Sequence, residues 1–99
     1  MAIKFFDADQ TGNASASLTM NTGGNIRSRV LRLVGTALDG ASVTISVSES
    51  GMSYAATDVH TFSALTDDPK ILTLSSDYTV TATITGSGGS SDMNVTMSE

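Results

Sequence analysis

Ninety-nine residues make one domain with room for one modest core; with three Phe, two Tyr and no Trp, that core must be built from Val, Ile, Leu, Met and Ala. The absence of cysteine excludes a disulfide scaffold, a thiol nucleophile and Cys-ligated zinc. Ten acids against five bases, a formal net charge of -5, argue against nucleic-acid binding, which relies on Lys and Arg to neutralise phosphates.

Residues 1–7 lack the apolar core of a signal peptide, and no run approaches the ~18 apolar residues of a membrane helix. The expectation is a soluble protein that stays where it is made. Residues 3–6 are a short apolar run, read as an edge strand or an arm. Phe5 and Phe6 are adjacent, so on a strand they point to opposite faces; one is expected to pack on the domain and the other to remain for a partner. Asp7, Asp9 and Thr11 before Gly12 have the spacing that opens a calcium loop. The twelfth loop position, which needs a bidentate Glu, is Leu18, and no helix-forming segment flanks the loop. A polar turn with Asx hydrogen bonds is the expectation, with no metal and no cofactor.

Residues 14–20 alternate small apolar with hydroxyl side chains, as a closely packed strand does. Residues 21–25, with Gly23 and Gly24, form a turn or flexible loop. Residues 26–34 are apolar on both parities: a two-turn helix is possible, but β-branched Ile26, Val30 and Val34 between glycines favour a strand covered on both faces. Arg27 and Arg29 share a parity with Leu31 and Leu33, and Arg32 shares one with Val30 and Val34. These three arginines either pair with the chain's own carboxylates or face solvent, or they form a basic stripe toward an acidic partner.

After an Asp39-Gly40 turn, Val43, Ile45 and Val47 alternate with Thr44, Ser46 and Ser48, giving one apolar and one hydroxylated face. Residues 49–54 read as a turn followed by Tyr54, and 59–65 as a strand with His60, Phe62 and Ala64 on one parity. A lone His without Cys reads as a strand surface residue, and no nucleophile elbow accompanies it. Asp67, Asp68 and Pro69 make a turn, 71–74 a short strand, and 75–77 another turn. Tyr78, Val80, Ala82 and Ile84 oppose four threonines along 78–85. The Gly/Ser run 86–91 then leads to Met93, Val95 and Met97, the pattern of a β-hairpin. The sequons at Asn13 and Asn94 have meaning only on a secretory route. Ile45, Val47, Val80, Ile84 and Val95 are the expected core. The fold expected is all-β, an antiparallel β-sandwich or flattened barrel of seven to eight short strands. Residues 26–99 would be the sandwich and 1–25 an N-terminal arm or edge-strand segment; as an arm, residues 1–12 would be removable without loss of the fold.

From about residue 33 to 98 the chain resembles small β-sandwich structural proteins of tailed bacteriophages. The resemblance lies in Val43-Thr44-Ile45, in Ser48 and Ser50-Gly51 before Tyr54, in Phe62-Ser63-Ala64, in the tyrosine-led run from Tyr78 to a Thr85-Gly86 turn, and in the Gly/Ser loop before the last alternating strand. Val80 stands where such chains often have an arginine, which leaves head decoration, head-tail connection and tail component open. The resemblance implies a virion structural role without catalysis. The specific expectation is a capsid decoration, or cement, protein on the outer capsid surface, made in the host cytoplasm. It would bridge major capsid protein subunits as a homo-oligomer, with a trimer favoured by the local threefold points of a shell. Phe5 and Phe6 would be its hydrophobic anchor, and Arg27, Arg29 and Arg32 its ion-pairing residues. An Ig-like carbohydrate or adhesion module, with Tyr54 as its aromatic platform, is the other expectation.

Overall fold

Eight strands and no helix occur among the described residues, which are 2–20, 25–49, 57–74 and 77–98 of this computed structural model. They are β1 (Ala2–Lys4), β2 (Ala14–Met20), β3 (Arg27–Ala37), β4 (Ser42–Glu49), β5 (Thr57–Phe62), β6 (Lys70–Leu74), β7 (Tyr78–Thr85) and β8 (Asp92–Ser98). Two four-stranded antiparallel sheets, β1-β8-β3-β6 and β2-β7-β4-β5, pack face to face as a β-sandwich. The pairs β1/β8, β2/β7, β3/β6 and β4/β5 are nested. The chain is thus a long antiparallel ribbon folded over on itself, and this strand order is that of a jelly roll. Of the turns expected at 21–25, 49–54 and 75–77, residues 21–24, 50–54 with Tyr54, 75 and 76 lie outside the described residues.

The period of two in the sequence sets which side chains are buried. Val43, Ile45 and Val47 of β4 lie opposite Ile84, Ala82 and Val80 of β7, and all six are buried. They share one core with Leu31, Leu33, Met93, Val95 and Met97 of the other sheet. All five expected core residues, Ile45, Val47, Val80, Ile84 and Val95, are buried. Ser and Thr occupy the opposite parity because a hydroxyl on the inner face would need a partner that a core of aliphatic side chains cannot supply.

Three local expectations give way. First, residues 26–34 are not covered on both faces. Within β3, Leu31 and Leu33 are buried while Arg32 and Val34 are exposed. An aliphatic residue on the wrong parity is tolerated at the surface, so the double-apolar pattern was no proof of double burial.

Second, the runs flanking 86–91 do not form a hairpin. β7 has β2 and β4 on its edges and β8 has β1 and β3, so the glycine loop carries the chain from one sheet to the other. Gly86 (φ 77°) and Gly89 (φ 99°) supply the left-handed turns of that crossing. The β3–β4 crossing is also tight, with Asp39 and Gly40 at φ 51° and 80° and the Ala41 N–H donating to the Leu38 carbonyl at 3.0 Å. The two crossings are tied together. The N–H of Gly88 donates to the Asp39 carbonyl (3.1 Å) and that of Ser90 to Asp39 Oδ2 (2.8 Å).

Third, Phe5 and Phe6 are both buried, at 6% exposure each, so neither remains for a partner. The two-face argument holds only along a strand, and β1 ends at Lys4. Residues 2–20 contribute an edge strand to each sheet, β1 beside β8 and β2 beside β7.

Candidate functional site

No concave pocket and no cluster of potential metal-binding side chains occurs among the described residues. What the molecule offers is its surface, and the two outer sheet faces differ in chemistry.

On the outside of the β2-β7-β4-β5 sheet the registers line up hydroxyls. Ser15, Thr83, Thr44 and Thr61 form one row, Ser17, Thr81, Ser46 and Asp58 a second, and Thr19, Thr79 and Ser48 a third. Some satisfy one another: Ser17 Oγ and Thr81 Oγ1 are 2.7 Å apart, and Ser15 Oγ and Thr83 Oγ1 are 3.2 Å apart. Asp58 is the one charge in these rows.

The outside of the β1-β8-β3-β6 sheet is mixed: a basic and apolar patch lies at its middle, Ser28 and Thr73 lie to one side of it, and Asp92, bonded to Thr36, and Asp9, bonded to Asn94, lie to the other. Lys4 and Arg32 lie on either side of Thr96, and Val30 lies opposite Ile71. Ile71 is 60% exposed and Val34 is 37% exposed. Arg32 belongs to this face. Arg27 and Arg29 do not: they stand on the inner parity, opposite Leu74 and Leu72, where the sandwich ends. The three arginines are therefore not one stripe, because an odd spacing along a strand places Arg32 on the other side of the sheet.

Phe5 and Phe6 are held by a residue that sequence reasoning passed over. Residues 6–9 detour beside β8, and the fully buried Asn94 takes the place of a strand partner there. Its Oδ1 accepts the N–H of Phe6 at 3.2 Å, and its Nδ2 donates to the Phe6 carbonyl at 2.9 Å. The chain rejoins β8 through Gln10, whose N–H donates to the Met93 carbonyl at 2.7 Å. The Asp7–Gly12 spacing is thus part of a backbone-tied connection, in which Asp9 Oδ1 accepts from Asn94 Nδ2 at 3.4 Å. The available signal was an Asn on the alternating strand 92–98, where a hydroxyl would be ordinary.

His60 is half-buried rather than on the surface. Its ring meets Phe62 edge-on at 4.6 Å, and Nε2 has no hydrogen-bond partner among the described residues. Asp67 is committed to the β5–β6 turn: its Oδ2 accepts the N–H groups of Ser63 (2.7 Å) and Ala64 (3.0 Å). Those two bonds, Ser63 first, hold its carboxyl below the usual aspartate range.

No family model, curated protein or solved structure matches the chain.

Proposed function

We propose that this protein is a non-enzymatic structural component of a tailed-bacteriophage virion, a capsid decoration protein. In this role it sits on the outer capsid surface as a homo-oligomer and braces neighbouring major capsid protein subunits. Support comes from the sequence resemblance over residues 33–98 and, by analogy of fold alone, from the use of jelly rolls in viral capsid domains. The observation that carries the reading is the basic and apolar patch around Arg32 on that outer face. A chain of net charge -5 that places Lys4, Arg32, Val30, Val34 and Ile71 on one exposed sheet face has a surface suited to an acidic, partly apolar partner. Arg32 offers planar, bidentate contact with carboxylates, and Ile71 and Val34 lose water on docking. Each contact is modest, but a shell repeats it many times. With Phe5 and Phe6 buried, the hydrophobic anchor passes to Ile71 and Val34.

The test is binding to purified particles that lack the protein. The double variant Arg32→Glu, Ile71→Asp is expected to lose occupancy at least tenfold while its Tm stays close to that of the parent, since both side chains are exposed. Undiminished occupancy, or a protein found in the tail or connector, would end this reading. The same strand order is used by lectins, and the neutral hydroxyl face favours a carbohydrate or adhesion module as the second reading. Retention on a glycan array, with no affinity for particles, would support that one.

A further inference from the structure

Four strands form the edges of the two sheets: β1 and β6 of one, β2 and β5 of the other. An edge strand presents a row of unpaired N–H and C=O groups, and proteins guard such rows with brevity, charge or bulges. Three of the four edges are guarded. β1 has 3 residues and includes Lys4, and β6 has 5 and opens on Lys70. β5 carries Asp58 and is bulged against β4 between Ile45 and Ser46. β2 has no such device. Its 7 residues hold no charge and no proline and pair with β7 along their whole length without a shift of register. Its outer edge has no backbone partner among the described residues.

We propose that a second copy of this chain occupies that edge, β2 against β2, antiparallel about a two-fold axis through Ser17. The β2-β7-β4-β5 sheet of one chain would continue into that of the other. The sequence of β2 suits its own reversal. With Ser17 facing Ser17 of the partner subunit, Ala16 faces Leu18 of the partner subunit and Ala14 faces Met20 of the partner subunit. Small thus meets large twice on the inner side. Ser15 faces Thr19 of the partner subunit on the outer side, and no side chain changes face. Ala14, Ala16 and Leu18 pack on the core but stay only partly buried at the sandwich margin, and the second copy would cover them further. Two chains of charge -5 repel, and an uncharged edge is where they meet with the least repulsion. A strand of an unrelated protein would need no self-complementary pattern of small and large residues in β2. The inference does not rest on the virion reading and is tested without particles.

The experiment uses the full chain. Sedimentation equilibrium of the wild type is expected to give the mass of two chains. Ser17→Glu sets two carboxylates across the axis and is expected to give the mass of one chain with unchanged circular dichroism. The chain has no cysteine, so Ser17→Cys introduces a single thiol. Directly opposed residues of an antiparallel pair have Cα atoms about 4.5–5.5 Å apart, within disulfide reach. Mild oxidation is expected to link Ser17→Cys into dimers, and not Thr61→Cys on the exposed side of β5. The cysteine pair decides the matter should Ser17→Glu fail to fold. A one-chain or three-chain mass for the wild type, a folded Ser17→Glu that keeps the two-chain mass, or linkage of Ser17→Cys no greater than that of Thr61→Cys would overturn the proposal.

Discussion

Asn94 shows how much one side chain decides. Its amide carries both the donor and the acceptor that Phe6 needs, and its Oδ1 also accepts from the N–H of Val95 at 2.8 Å. Asn94→Ala would leave those groups buried without partners, at about 1–3 kcal/mol each. The expected result is a loss of at least about 2 kcal/mol in a urea titration. Asn13→Ala, which removes an exposed acceptor for the Ser87 N–H (2.9 Å), should cost about 0.5–1.5 kcal/mol at most. The buried Asn94 cannot serve as a glycan acceptor in the folded protein. Asp67 gives a pH-dependent counterpart. Its pKa is lower folded than unfolded, so its contribution is fully present above the ordinary value of 3.8 and fades as pH falls through the lowered one. Asp67→Ala should therefore lower Tm at neutral pH, and the gap from the wild type should close on acidification below that range. A gap that stays constant with pH would mean that the carboxylate charge is not what holds the turn.

At the scale of elements, residues 2–20 are an integral part of the fold. They supply one edge strand to each sheet and two buried aromatics from a chain that has only three Phe and two Tyr. Losing a buried Phe side chain costs about 3–5 kcal/mol, and a domain of this size has about 5–15 kcal/mol to lose. Deletion of residues 1–12 is thus expected to abolish cooperative thermal unfolding, where a dispensable arm would leave it intact. Gly35 marks a second element-level constraint, at the irregularity where β3 shifts register against β8. Its φ is 146°, and a Cβ there would collide with the carbonyl oxygen of Asp92. No other residue fits this irregularity without moving β8.

For the whole molecule, the nested strand order dictates how the chain can fold. β1 must find β8 across nearly the full length of the sequence and β2 must find β7 across more than half of it; only β4 and β5 are both consecutive and adjacent. Loop-closure entropy is lost before such pairings contribute, so refolding is expected on the millisecond-to-second scale typical of β-sandwiches. Stopped-flow tyrosine fluorescence measures it. A microsecond phase carrying the whole amplitude would show that most of the stabilising contacts are local, contrary to this topology.

The sequence alone determined the class of fold and much of the core. Alternation at 43–47, 80–84 and 93–97 is a local property of the pleat, and Ile45, Val47, Val80, Ile84 and Val95 are buried as that alternation requires. It did not determine which strands are neighbours. The Gly/Ser loop at 86–91 suits a hairpin and a crossing equally well, because the turn constrains a few dihedrals while pairing depends on partners far away in the chain. Nor did it place Phe5 and Phe6, since parity assigns a face only while a strand continues and says nothing of what lies above that face. Which strands are neighbours was decided by pairing between distant segments, and Phe5 and Phe6 were buried by the connection that Asn94 holds beside β8. The opposite parity of Arg32 to Arg27 and Arg29 was legible in the sequence, as was the lack of charge in 14–20; that this stretch is a sheet edge was decided only by the strand order.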